Sequence, residues 1–216
     1  MGVGVGTLVG QLRPTRVVIG VEPSRALASA ALALGRPVIL GSGDLMPFPD
    51  AAVGVVIAER VLQHVGDLEA VLTECARVVA PGGLILTADP DHGHAEIAPA
   101  GLDILGRQLC AWRALAGTVS PDAAARTGSW ARARGMAVEV ETFWCRTEDY
   151  ADARLLTNFP EWARLAAEAG AGVSEGQVTD WEQAWKAAAA GDLPFRFAWP
   201  VTLTAVRLPP PGQQPD

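Results

Sequence analysis

Four short apolar runs limit what this chain can fold into: RVVIGVE (16–22), PVILG (37–41), AVGVVIA (52–58) and LILTADP (84–90). They are rich in β-branched residues and nearly unbroken by polar ones, as strands buried on both faces should be. Between the first two lies PSRALASAALALG, Ala/Leu-rich, with Ser24 placed as an N-cap and Gly35 as a C-terminal stop. Between the last two lies DLEAVLTECARVVAPGG, where Leu68, Val71, Leu72, Cys75, Val78 and Val79 share one helix face and Pro81-Gly82-Gly83 ends the helix. Strands alternating with helices predict an α/β fold, a parallel sheet with helices on both sides.

The second half reads differently. Residues 95–135 read as helices, with Ser120-Pro121 as a helix start. AVEVETFW (137–144) alternates apolar and polar residues, as a strand with one wetter face does. Further helices run to about residue 190, the last offering two capping boxes, Ser174 to Gln177 and Thr179 to Glu182. FRFAWPVTLTAVRL (195–208) closes as a strand that Pro200 confines to an edge or a bulge at that point. Six of the seven Trp lie at or beyond Trp130, so an aromatic filling for this helical layer is their expected role. The tail LPPPGQQPD reads as loose.

Charge and cysteines narrow the partners. The net charge is −7 and the 17 basic residues form no stripe, which argues against a nucleic acid. No apolar stretch reaches the roughly 18 residues of a membrane span, and the first residues lack a signal-peptide pattern. Cys75, Cys110 and Cys145 are odd in number and widely spaced, which suggests reduced thiols in a cytoplasmic protein.

Function is sought where open α/β sheets bind ligands, beyond the carboxyl ends of the strands. The chain opens on MGVGVGTLVG, where Gly2, Gly4 and Gly6 let bare backbone approach a ligand. Glu22 ends the first run, and an acid there can accept hydrogen bonds from both hydroxyls of a ribose or be a solvated acid. GSGDLMPF follows the second run, ERVLQHV the third and ADPDHGH the fourth.

In this order, GVGVGTLV, VVIGVEPS, GSGDLMPFPD, ERVLQHVGDLEAVLTECARVVAPGG and LILTADPDHGH resemble class I S-adenosylmethionine-dependent methyltransferases, most closely the type 11 branch. The resemblance covers about residues 2–96 in motif detail. It implies a three-layer Rossmann-like sheet, mostly parallel with an antiparallel C-terminal strand, in a single domain over 1–208, with 1–96 as the cofactor-binding half and 97–208 on the substrate side. It implies S-adenosyl-L-methionine as cofactor and a small organic molecule as methyl acceptor, on O, C or N. Gly2, Gly4 and Gly6 would pass close to the methionine and ribose portions. Glu22, with Pro23 and Ser24 beside it, would hold the ribose. Asp44 would accept from the adenine amino group, with Leu45 against the ring, although Asp44 also suits a plain turn. Glu59 and Arg60 would lie near the methionine portion, and Gln63 and His64 near the substrate. His92 or His94 would be the general base if the acceptor is protonated, the bland reading being a polar turn. A metal bound by Asp89, Asp91, His92, His94 and Glu96 is disfavoured, since neighbours so close in sequence rarely all face one ion.

The sequence also departs from the family pattern, which has a strand and an acid directly before the glycines. Here only Met1 stands there. Gly54, Val3 and Val5 replace residues often found as an acid and as Cys or Thr. The expectation is that the sequence starts downstream of a central strand and that the chain as given folds poorly, self-associates or binds cofactor weakly; the alternative is that VGVGTLVG fills the gap as a distorted strand. Two other functions stay open: a catalytically silent binding module, and a nicotinamide-dependent oxidoreductase, against which Val9 stands where a third glycine belongs.

Overall fold

The computed structural model describes residues 1–98, 111, 115, 117 and 120–212. Its elements fall into two units, one of residues 1–89, 122–141 and 202–216, the other of 90–121 and 142–201.

The first unit begins with α1 (Thr7–Leu12), β1 (Gly20–Glu22), α2 (Arg25–Ala33), β2 (Val38–Leu40), β3 (Val53–Glu59), α3 (Leu68–Val78) and β4 (Val79–Pro90). Helix α2 starts where the Ser24 side chain accepts from Leu27 N–H, and Gly35 follows its end with a left-handed φ of 68°. Helix α3 is capped by Asp67, which accepts from Ala70 N–H. The whole apolar face read from its periodicity is buried: Leu68, Val71, Leu72, Cys75, Val78 and, one residue past the helix, Val79. Strand β4 begins at Val79, so it runs through Pro81-Gly82-Gly83 and includes the expected helix stop. A Cβ at Gly83 would come within 2.6 Å of Gly54 O, so only glycine lets β4 lie against β3 there.

Strands β3 and β4 pair in parallel over six residue pairs, Val53↔Val79 and Val55↔Leu84 through Glu59↔Ala88. Strands β1 and β2 also pair in parallel, but over three, Gly20↔Val38 to Glu22↔Leu40, and they form a separate two-stranded sheet. The run RVVIGVE is therefore a strand only in its last three residues. Hydrogen-bonding neighbours, not composition, decide where a strand begins. After α4 (Ala123–Arg132), β6 (Ala137–Thr147) and β7 (Arg196–Arg207) contribute to both units, and β6 pairs with β7.

In the second unit, β5 (Glu96–Ala98) pairs antiparallel with Arg196–Ala198 of β7. Residues 96–98 were expected to be helical. Helix α4 begins after Asp122, slightly beyond the expected start at Pro121. Most of 99–119, with Cys110 and Trp112, and the end of the tail at 213–216 lie outside the described residues. Helices α5 (Tyr150–Thr157), α6 (Phe159–Glu168) and α7 (Glu175–Ala190) enclose a core of Phe159, Trp185, Phe195, Phe197 and Trp199. These rings meet mostly edge to face, with Phe159 and Trp185 centroids 4.8 Å apart. The filling role expected of the tryptophans holds for Trp185 and Trp199. The Ser174–Gln177 capping box is made in full. Thr179 instead donates to Glu175 O inside the helix, so the second box is absent. Pro200 lies within β7 beyond its pairing with β5, and its carbonyl accepts Asp91 N–H.

Candidate functional site

The opening glycines form a loop held from below. Gly2, Gly4 and Gly6 all have left-handed backbone, with φ of 60°, 54° and 75°. No strand forms there, and Gly6 leads directly into α1. Met1 N donates to Ile57 O and Gly2 N to Val21 O, each at 2.7 Å. Glu22 fixes the next turn: Oε2 accepts Gly4 N–H at 2.8 Å and Oε1 accepts Ser24 N–H at 3.0 Å. Glu22 as a whole is 5% exposed, and both of its carboxylate oxygens are used to shape the loop. Each oxygen keeps a second lone pair for a further donor. A Cβ on Gly2 would collide with Val61 at 2.6 Å, whereas one on Gly4 would meet nothing within 4 Å. The space beside Gly4 is open to a ligand. Arg36 braces the other side of the loop, donating to Val5 O and lying against Gly6 and Gly10.

The segment after β2 presents Asp44 and Leu45 at the surface, Leu45 being 77% exposed. Its position depends on a pair that the sequence reading passed over. Glu74, buried on α3, accepts Met46 N–H at 2.7 Å, and Arg77 donates to Met46 O at 3.3 Å. Arg77 also bonds Glu74 and Asp50 at 2.6 Å each, which holds the Glu74 carboxyl below the usual carboxylate range. The available signal was an acid on the apolar side of α3, three residues ahead of an arginine.

At the end of β3, Glu59 and Arg60 are exposed. Arg60 has a left-handed φ of 57° and donates its N–H to Ala88 O at 2.7 Å, a conformation that β-strand residues rarely take. The 3-10 turn Leu62–His64 follows. It sets His64 at the surface but buries Gln63, which is 2% exposed and reaches Arg60 O through Nε2. Gln63 thus helps build the turn. Asp89, at the end of β4, lies under this turn and accepts Gln63 N–H at 3.4 Å. Burial pushes the Asp89 carboxyl up to about 6, against the lowering effect of backbone N–H groups from Gln63, Leu62 and Val61. Its Oδ2 has no hydrogen-bond partner among the described residues.

The second unit holds the two other histidines. His92 is buried, with its ring edge-on to Trp199 at 5.2 Å and to Trp162 at 6.1 Å. His94 is exposed, with Nδ1 2.7 Å from Asp91 Oδ2. No group of three His, Cys, Asp or Glu side chains able to hold a metal gathers among the described residues.

These residues fit S-adenosyl-L-methionine: open space beside a left-handed glycine, a carboxylate at the strand end with lone pairs left over, and an exposed Asp-Leu pair. Comparison with known proteins agrees. Residues 1–87 match the type 11 methyltransferase domain family. A probable S-adenosylmethionine-dependent methyltransferase of Mycolicibacterium smegmatis is 36% identical over 79 residues, 36% of this chain and 31% of that protein. A malonyl-[acyl-carrier protein] O-methyltransferase of Coxiella burnetii is 35% identical over 77 residues, 35% of this chain and 26% of that protein. The matches thus span about a third or less of these relatives' own lengths. The YcgJ protein of Bacillus subtilis shares the fold at a TM-score of 0.63, with 15% identity over 96% of this chain and 89% of its own. No described helix is long and apolar enough to cross a membrane. Residues 1–87 thus match the type 11 methyltransferase domain, and the parallel strands and the glycine loop bound to a strand-end acid are the features that a class I S-adenosylmethionine-dependent methyltransferase domain of that branch implies.

Proposed function

We propose that the protein transfers a methyl group from S-adenosyl-L-methionine to a small organic acceptor, on O, C or N. The observation that carries this reading is the loop Gly2–Gly6, fixed by Glu22 with open space at Gly4. When bound, the cofactor supplies a methyl group already activated on a sulfonium. The protein's task is alignment and exclusion of water. Backbone at Gly4 would lie against the cofactor, and Glu22 would receive the ribose hydroxyls on its remaining lone pairs. Asp44 and Leu45 would take the adenine edge and face, on a loop that Glu74 and Arg77 hold still. For an acceptor that must lose a proton, we assign His94 as the base, because Asp91 orients its ring. The silent-module and oxidoreductase readings gain no support from the fold or the relatives.

Calorimetry on Glu22→Gln tests the cofactor assignment. The variant should bind S-adenosyl-L-methionine about 5- to 150-fold more weakly, the equivalent of about 1–3 kcal/mol for a lost charged hydrogen bond. Unchanged affinity rejects the ribose role. His94→Ala should slow methyl transfer to a protonated acceptor by about 10²–10⁴-fold with cofactor affinity kept. Full activity in that variant returns His94 and Asp91 to a surface pair.

A further inference from the structure

The three helices of the second unit line a cavity of about 300 Å³. Each helix gives it one stripe of side chains. Tyr150 and Arg154 come from α5, one turn apart, and Asn158 follows as the C-cap with a left-handed φ of 45°. Glu161 and Arg164 come from α6, beside the buried Pro160. Glu182, Trp185 and Lys186 come from α7, at positions i, i+3 and i+4 of one face. None of these residues is among those proposed for the cofactor or the acceptor.

The polar groups of this wall divide into those already paired and those left over. One cation takes both carboxylates: Arg164 Nε lies 2.6 Å from Glu182 Oε1, and Arg164 Nη1 lies 3.4 Å from Glu161 Oε2. The side chains of Arg154 and Lys186 have no hydrogen-bond or ion-pair partner among the described residues. The same is true of the Asn158 amide and the Tyr150 hydroxyl. Trp185 is 1% exposed, and its Nε1 is a buried donor with no partner among the described residues. A buried donor left unmet costs stability, so this wall favours an entrant that accepts hydrogen bonds. Its strong acceptors are spent and its donors are not, and the complement of such a wall is an anion.

We propose that this cavity binds a small organic acid, with the carboxylate held by Arg154 and Lys186 and the apolar body against Trp185 and Pro160. The guanidinium offers a planar fork that matches two carboxylate oxygens, and the ammonium adds a point charge. Three cations and two carboxylates leave the wall with one positive charge, which a monocarboxylate balances. A phosphate monoester, at about −1.5 to −2, exceeds it. The volume lies at the lower end of ligand cavities, so the body of the acid is no larger than about one ring. The site lies within one unit and does not depend on methyl transfer.

Benzoate is the probe, titrated into the full chain by calorimetry and followed on the indole N–H resonances of the tryptophans. It should bind saturably, at about 1 mM or tighter, and move the resonance that Trp185→Phe removes. If that variant does not fold, the backbone amides of Arg154 and Lys186 report the same location. Arg154→Gln and Lys186→Gln, both at exposed positions, should each weaken binding by about tenfold, the lower end for a charged hydrogen bond. Arg132→Gln removes an exposed cation outside the cavity and should match the parent. Benzamide, with the same ring and no charge, should bind at least about tenfold more weakly. Absence of saturable benzoate binding overturns the proposal, as does equal affinity for benzamide or in the Arg154→Gln and Lys186→Gln variants. Tighter binding of phenyl phosphate than of benzoate overturns the choice of a carboxylate.

Discussion

Strands β1 and β3 have similar apolar sequences and different fates. The run AVGVVIA becomes a strand through Glu59, paired with β4 along its length and backed by the buried face of α3. In RVVIGVE only Gly20–Glu22 become strand, paired with the three residues of β2, while Val17 stands in the open. A β-branched run is permission to form a strand, and a partner strand paired along its length is what makes it one. The same difference divides the candidate site. Its Asp44 side is clamped by charges on a well-packed helix, whereas its glycine side is held by Glu22, by Arg36 and by backbone bonds to Val21 and Ile57.

The largest effect should come from the packed side. Leu72 is 1% exposed, so Leu72→Ala should cost about 2–5 kcal/mol in chemical denaturation. A cost under about 1 kcal/mol would mean that the β3–β4 side is no better packed than the other.

Asp89→Asn comes next, and its sign depends on pH. The folded-state carboxyl titrates near 6, above its ordinary 3.8, so its contribution to stability is fully present below about pH 4 and is lost as pH rises through about 6. The Asn variant escapes that loss. It should exceed the parent in stability above pH 6 by on the order of 1–3 kcal/mol, with the difference closing toward pH 4. Denaturation midpoints that run parallel for the two proteins from pH 4 to 7 would show that Asp89 does not titrate in this window. The smallest effect belongs to the open side: Val17→Ala should shift stability by no more than about 0.5 kcal/mol. A cost above about 1 kcal/mol would mean that the residue is covered in solution, and the contrast would fail.

Local and periodic features could be read in the sequence. The α3 face, the Ser24 and Ser174 caps and the glycine loop each follow from residues within a few positions of one another. What could not be read depends on partners far along the chain. Glu74 meets Met46 from 28 residues away, and Asp89 meets Gln63 from 26. Residues 96–98 extend only because Arg196–Ala198 lie beside them. Gln63 and His64 are adjacent in one short motif, yet the 3-10 turn buries the first and exposes the second, a division that identity alone does not carry. The truncated β1 belongs with these, since the composition of RVVIGVE is that of a full strand.

Cys75 sits wholly inside the α3 core, 3.9 Å from Met1 Sδ, and burial pushes its thiol up to about 12. A thiol so placed is chemically silent while the unit stays closed, because the reactive species is the thiolate and no reagent reaches it. Cys145, half-buried in β6, has no such shelter. The pair therefore works as a clock with two hands: an alkylating reagent marks Cys145 at the pace of ordinary access, and Cys75 at the pace at which the core opens.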